Sequence, residues 1–72
     1  MRFRYYEETD ALYIDLADRM SVDSREVAPE VVIDLDDQGR IVGIEIQHAS
    51  VLVDLSRLEL DTLPVAGASP EE

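Results

Sequence analysis

The sequence contains no cysteine, so disulfide bonds, thiolate zinc sites and thiol nucleophiles are all excluded. Its basic residues are all arginine, which leaves no lysine for Schiff-base catalysis. It also lacks any apolar run of about 18 residues, the length that a membrane-spanning helix needs. Because the lack of cysteine fits a reducing compartment, we expect a cytoplasmic protein that does not enter membranes.

Acidic residues dominate the charge, with 17 aspartates and glutamates against 6 arginines and a net charge of −11. Nucleic acids and anionic lipid surfaces attract basic proteins, so neither is expected as a direct partner. An acidic surface instead favours a basic protein as the partner, because opposite charges speed association and discriminate against wrong partners.

The chain has 72 residues, enough for one small domain. A chain of this size hides only roughly 60% of the surface that its unfolded form exposes, so its own core is marginal. We predict a single α+β domain over residues 1–63 and a disordered acidic tail over residues 64–72, which is rich in proline, glycine and small residues. In the absence of disulfides, oligomerisation is a common way to complete such a core.

The segments RFRYY and ALYIDL both alternate between two kinds of side chain, which is typical of β-strands. A four-residue turn over residues 7–10 would join them as a hairpin. The predicted pairs are Tyr6–Ala11, Tyr5–Leu12, Arg4–Tyr13, Phe3–Ile14 and Arg2–Asp15. The apolar pairs then share one face of the sheet, and a basic and aromatic patch of Arg2, Arg4 and Tyr13 lies on the other, where Asp15 balances its charge.

Residues 17–24 have no clear period and are predicted to form a loop. A short edge strand is expected around residues 25–28, before Pro29, which cannot donate to a central ladder. The stretches VVIDLD and RIVGIEI then alternate and predict a second hairpin. Its predicted pairs are Leu35–Val42, Ile33–Ile44 and Val31–Ile46.

The stretch DLDDQGRIVGIE, residues 34–45, places oxygen-bearing side chains at the spacing of a calcium loop. An EF-hand loop lies between two amphipathic helices, whereas both flanks here alternate with the period of strands. Gly39 suits the positive φ of a tight turn, and Asp34 and Glu45 would lie on the outer face, away from the turn. We therefore interpret the stretch as a hairpin turn and predict no metal site.

After Gln47 the period changes, and Val51, Leu55 and Leu58 form a stripe with helical spacing. His48 or Ser50 is the expected N-cap, and serine has the better side chain for that position. The alternation in LELDTL leaves open that the chain is extended from residue 58 onward. The predicted fold is thus a small antiparallel sheet of two successive hairpins, about four or five strands, with one C-terminal α-helix.

Three groups of residues carry a resemblance to a known family. A tyrosine, an acidic turn and a DALYI-like strand come first, then a V-x-P-x-V-V-x-D segment, and finally GRIVGIEI followed by Ala-Ser. They are matched here by Tyr5, Glu8, Asp10, Ala11, Leu12, Tyr13 and Ile14; by Val27, Pro29, Val31, Val32 and Asp34; and by residues 39–46 with Ala49 and Ser50. Together these residues resemble a small prokaryotic family known as domain of unknown function 2283, and the resemblance covers roughly residues 2–52.

The resemblance implies an α+β fold with short antiparallel strands and one helix. It also implies an association with small toxin-like partners, and it supplies no catalytic residues to carry over. The sequence departs from the family pattern at Tyr6 and His48, where aspartate is common, and at Leu35, where tyrosine is frequent.

His48, Ser50 and Asp54 contain the letters of a hydrolytic triad. Residues two apart on a helix do not face each other, so a helix start is the better interpretation. Asp34 and Glu45 could form a carboxylate pair for acid–base chemistry, but a solvated outer face accounts for them more simply. We therefore predict no catalytic residue and no cofactor.

The clearest functional signal is a set of apolar and aromatic residues outside the predicted core. Tyr6, Tyr13, Val32 and Ile41 are predicted on the outer face of the sheet, and Val53 and Leu60 on the far side of the helix, as a candidate interface. The predicted function is a non-enzymatic interaction module, a homodimer or higher homo-oligomer that binds a basic partner and is antitoxin-like if the resemblance applies. The alternative is a small-molecule binding or enzymatic protein with its site between subunits.

Overall fold

The computed structural model describes residues 1–61, so the predicted tail over residues 64–72 lies outside the described residues. Residues 1–61 form one five-stranded antiparallel sheet in the order β1-β2-β5-β4-β3, followed by one short helix. The elements are β1 (Arg2–Tyr6), β2 (Ala11–Asp15), β3 (Asp23–Ala28), β4 (Val31–Leu35), β5 (Ile41–Gln47) and α1 (Ala49–Leu52). No helix in this part of the chain is long and apolar enough to cross a membrane.

The hairpin of β1 and β2 has the predicted register in every pair, from Arg2 opposite Asp15 to Tyr6 opposite Ala11. Strand β2 then pairs with β5, with Leu12 opposite Ile46 and Ile14 opposite Ile44. Because directly opposite residues share a face, one face of the sheet is apolar. It carries Phe3, Tyr5, Leu12, Ile14, Val31, Ile33, Ile44 and Ile46.

The second half of the sheet is a three-stranded meander of β3, β4 and β5, so the prediction of two successive hairpins describes it only in part. Strand β3 begins at Asp23, inside the stretch predicted as a loop. It begins there because Ser24 pairs with Asp34, and because the Val22 N–H donates to the Leu35 carbonyl over 2.8 Å.

The predicted pair of Leu35 with Val42 is wrong, because a β-bulge after Asp34 places Leu35 opposite Ile41 instead. The buried Val42 is the extra residue, and its carbonyl accepts hydrogen bonds from the N–H groups of Leu16 (2.8 Å) and Ala17 (3.2 Å). A bulge of this kind leaves one residue outside the ladder and free to bond elsewhere. The rest of the predicted register, Ile33–Ile44 and Val31–Ile46, is confirmed.

The predicted helix is much shorter than its apolar stripe suggested, since α1 ends at Leu52 and Val53 is extended. The N-cap is His48, one of the two predicted residues, whereas Ser50 lies inside α1. His48 is left-handed, with φ 54°, and makes no side-chain cap bond. Downstream, the Asp54 carboxylate accepts hydrogen bonds from the Ser56 N–H (3.1 Å) and hydroxyl (2.6 Å). Such a local turn competes with helical hydrogen bonding, which explains why the helix does not continue.

The core is small. Within residues 1–61, the only buried apolar residues are Ala11, Leu35, Val42 and Ala49, and no large side chain there is less than 2% exposed. Among the described residues, the segment that follows α1 therefore covers the apolar face of the sheet only in part.

Candidate functional site

The polar face of the sheet is organised around the carboxylate of Asp34 on β4. The Tyr13 hydroxyl donates to Oδ2 of Asp34 over 2.8 Å, and the Ser24 hydroxyl donates to Oδ1 over 2.7 Å. Tyr13 lies on β2 and Ser24 on β3, so this carboxylate joins three strands that are not all neighbours. Each of its two oxygens thus accepts a hydrogen bond from a different side chain.

Gly43 on β5 makes the bond between Tyr13 and Asp34 possible. Strand β5 lies between β2 and β4, so the Tyr13 side chain must cross it to reach Asp34. A Cβ atom at Gly43 would overlap the Tyr13 hydroxyl, and it would lie 2.6 Å from Cζ of that ring and 3.1 Å from the Ile14 carbonyl oxygen. A glycine inside a strand often marks such a close approach.

Arg4 completes this face. Its guanidinium carbon lies 5.5 Å from the centre of the Tyr13 ring, within cation–π range, and it forms an ion pair with Asp15 at 3.8 Å. Burial, followed by the hydrogen bond to Asp34, raises the pKa of Tyr13 to about 12. Tyr13 therefore acts at neutral pH as a hydrogen-bond donor and not as a base.

A second polar cluster ties the β1–β2 turn to the start of α1. Asp10, left-handed with φ 55°, accepts hydrogen bonds from the Ser50 hydroxyl (2.6 Å), the Ser50 N–H (3.0 Å) and the Tyr5 hydroxyl (2.7 Å). The bond from the Ser50 hydroxyl is the main reason why the pKa of Asp10 is lowered. The carboxylate thus satisfies donors at the start of the helix from 40 residues away in sequence.

The residues of the hypothetical triad have three different partners. Ser50 bonds Asp10, Asp54 bonds Ser56, and Nδ1 of His48 lies 2.8 Å from Oε1 of Glu30. Asp34 and Glu45, the other proposed pair, lie on neighbouring strands but are not opposite each other. Asp34 is opposite Gly43, and Glu45 is opposite Val32. Neither arrangement gathers the groups that the corresponding chemistry would need.

A third cluster, which the sequence did not reveal, surrounds Asp36 in the β4–β5 turn. This carboxylate is only 5% exposed, and it receives Nε of Arg19 at 2.8 Å and Nε of Arg40 at 2.9 Å. The N–H groups of Gln38 and Arg40 also donate to it, each over 2.9 Å. The bonds from Arg40 and Gln38, with that from the Arg40 N–H the largest cause, lower the pKa of Asp36 to about 2.

An apolar groove runs along the apolar face at the β1–β2 end of the sheet, with a volume of about 560 Å³. One wall is the sheet and the other is the segment that follows α1. Its lining residues are Phe3, Tyr5, Leu12, Ile14, Ile46, Val53, Asp54, Leu55, Arg57 and Leu58. Several of these side chains remain exposed, including Phe3 and Tyr5 at 44% each and Leu58 at 64%.

Of the six residues predicted as an interface, three lie on the polar face and one lines the apolar groove. Tyr6, Tyr13 and Val32 lie on the polar face, where Tyr6 is 48% exposed, and Ile41 lies beyond the bulge and is 44% exposed. Val53 lines the apolar groove, and Leu60, just beyond it in sequence, is 59% exposed. Their role as an interface stays a prediction.

This architecture defines a small antiparallel-sheet domain with one polar face and one partly open apolar face. The profile of the family described as "Protein of unknown function (DUF2283)" matches residues 2–50, and the chain belongs to this family. No curated protein and no solved structure matches the chain.

Six of the residues on which the family resemblance rests are gathered into the first two clusters. Tyr13, Asp34 and Gly43 come from three separate segments of the sequence and meet on the polar face. Asp10 and Ser50 meet at the start of α1, and Tyr5 joins them. These residues therefore hold strands and turns together. Within residues 1–61 there is no group of three or more histidine or acidic side chains that could hold a metal ion.

Proposed function

We propose that this chain is a non-enzymatic, cytoplasmic protein-interaction module that forms a homo-oligomer and binds a basic protein partner. The observation that carries the proposal is the open apolar face, where a groove of about 560 Å³ lies beside exposed aromatic and leucine side chains. Exposed apolar surface that is contiguous and rimmed by polar residues is characteristic of protein–protein contact.

The polar groups support an interaction role over a catalytic one. The carboxylates of Asp10, Asp34 and Asp36 accept hydrogen bonds from side chains and backbone groups of the same chain. Tyr13, with its raised pKa, is held as a donor to one of them. Groups satisfied in this way stabilise the fold, and none is left as a poised acid, base or nucleophile.

The polar face is the surface proposed for the basic partner. A depression of about 290 Å³ on this face is lined by Arg4, Tyr6, Ala11, Tyr13 and Glu45, and the acidic residues Glu7 and Glu8 lie in the adjacent turn. Tyrosines combine apolar area with a polar tip and are enriched at interfaces. The net charge of −11 would steer a basic protein toward the molecule.

A small, basic, toxin-like protein is the partner class that we favour, with this chain as its neutralising member. Neutralisation would occur by occlusion: the polar face, with Glu45 and the adjacent Glu7 and Glu8, would cover a basic active surface and exclude its substrate. The strength of such a complex would depend on a few buried aromatic anchors, for which Tyr6 and Tyr13 are placed on the polar face.

The test is affinity purification from the native host with two charge-matched variants. Glu7→Gln with Glu45→Gln removes two charges near the polar face, and Asp18→Asn with Asp37→Asn removes two charges from exposed positions elsewhere. We expect one small basic protein in fixed stoichiometry with the wild type and the second variant, and at least a tenfold lower yield with the first. Equal yields from both variants, or no basic partner with the wild type, would contradict the proposal.

A further inference from the structure

Strand β1 is an edge of the sheet that has neither a bulge nor a proline. All five of its residues are exposed, and its pairing with β2 has no irregularity. The opposite edge, β3, contains a bulge between Glu26 and Ala28 and is followed by Pro29, two features that discourage the addition of a further strand. An open edge without such features is a template for strand addition.

The two sides of β1 have opposite chemistry. Phe3 and Tyr5 line the apolar groove, whereas Arg2 and Arg4 lie on the polar face. A strand added beside β1 would therefore need apolar residues on one side and acidic residues on the other. These two arginines are a third of all the arginines in a chain of net charge −11. An acidic strand therefore suits this edge better than a neutral or basic strand would.

The segment of residues 58–61, with the sequence LELD, has this alternation. It belongs to no helix or strand, and Leu58 and Leu60 are 64% and 59% exposed. Within the described part of the chain, no backbone–backbone hydrogen bond involves residues 54–61. The segment thus combines exposed leucines, two acidic side chains and a backbone that is paired with no other described residue.

We propose that β1 of one copy and the segment 58–61 of a second copy pair as antiparallel strands, reciprocally, in a twofold dimer. In one register all four positions match: Leu58 and Leu60 lie opposite Tyr5 and Phe3, and Glu59 and Asp61 lie opposite Arg4 and Arg2. The parallel alternative would leave Arg2 without an acidic partner. This inference rests on the proposed homo-oligomer and names its interface.

A second copy suits this edge better than the chain's own segment. In its own chain Leu58 lines the groove together with Phe3 and Tyr5, so the segment approaches the apolar face and not the open edge of β1. The Arg57–Glu59 ion pair, at 2.8 Å, joins two exposed side chains and is easily exchanged for a contact with Arg4. A reciprocal exchange would cover both open edges in a closed assembly, as twofold symmetry requires.

The test uses engineered cysteines, which the absence of native cysteine makes unambiguous. Arg4→Cys in one preparation and Glu59→Cys in another would be mixed and oxidised, because directly opposite residues of paired strands lie close enough for a disulfide. Arg4→Cys mixed with Asp37→Cys, at the β4–β5 turn, is the control.

In parallel, Leu58→Ser with Leu60→Ser is compared by native mass with Met20→Ser, at a residue that is 80% exposed.

We expect a covalent heterodimer from the first mixture and not from the control, and at least a tenfold weaker dimer with the leucine variant only. A dimer that forms no such cross-link and tolerates the leucine substitutions would overturn this interface but leave the proposed function standing. A cross-link confined to single chains of an Arg4→Cys, Glu59→Cys double variant would also overturn it, because the segment would then dock on its own strand. A wild type that is monomeric throughout would overturn both proposals.

Discussion

The side chain of Tyr13 occupies the space that a side chain at Gly43 would need, and from there its hydroxyl reaches Asp34 at 2.8 Å. One glycine in the central strand thus allows a hydrogen bond between two strands that do not touch each other. This bond links both halves of the sheet, the β1–β2 hairpin and the β3–β4–β5 meander. The stability of the sheet should therefore depend on all three residues together.

Gly43→Ala is predicted to lower the free energy of unfolding by roughly 1–3 kcal/mol, the usual range for overpacking, because the added methyl group displaces the Tyr13 ring. In a Tyr13→Ala background the same change should cost much less, since the obstructing ring is gone. Urea unfolding of the four proteins in this double-mutant cycle measures the coupling. Additive effects of the two substitutions would show that the ring does not occupy this space.

The pKa of Tyr13 predicts a specific loss of stability at alkaline pH. It is about 12 in the folded protein, against 10.0 for an ordinary tyrosine. Because the folded state holds this proton more tightly, the contribution is fully present below pH 10 and is lost as the pH rises toward about 12. Urea midpoints measured across this window should fall more steeply for the wild type than for Tyr13→Phe. Parallel curves would contradict the assignment.

The lowered pKa of Asp36 predicts that the protein loses stability in acid. This pKa falls from 3.8 to about 2 on folding, so its contribution is full above pH 3.8 and is lost as the pH falls toward about 2. Asp36→Asn should remove much of this acid sensitivity and lower the melting temperature at pH 7, because Arg19 and Arg40 would lose their shared carboxylate. Thermal unfolding at pH 3 and pH 7 tests this. Asp37→Asn, at the exposed neighbour, is the control and should change little.

Two left-handed residues should respond in opposite ways to glycine. Asp10→Gly relieves a positive φ but removes the acceptor of three hydrogen bonds, so the melting temperature should fall. Glu30→Gly relieves φ 70° and removes only the partly exposed pair with His48, so stability should rise by roughly 0.5–1 kcal/mol. Thermal melts of both variants provide the comparison. A fall in stability for Glu30→Gly would mean that the His48–Glu30 pair matters more than this account allows.

The sequence predicts those parts of the fold that depend on local pattern. The register of the β1–β2 hairpin follows from its alternation and a four-residue turn, and the structure confirms it. The bulge at Val42 could not be predicted, because it depends on hydrogen bonds to Leu16 and Ala17 from a distant part of the chain. The helix was predicted too long because the apolar period continues past Leu52, whereas the Asp54–Ser56 turn does not show in that period.

The polar clusters were harder to predict, because they depend on strand order. Alternation places Tyr13 and Asp34 on outer faces, but only the order β2-β5-β4 brings them together across Gly43. The glycine inside the GRIVGIEI strand was the one available signal of a close approach. Nothing in the sequence links Arg19 to Asp36, which meet through a loop and a turn.

The central claim, that the open apolar face makes this chain an interaction module that forms a homo-oligomer, is tested most directly by native mass and sedimentation equilibrium of the purified protein at tens of micromolar. The account predicts a mass of two 8.1 kDa chains, or of a larger whole number of them. The mass of a single 8.1 kDa chain across this concentration range would contradict it.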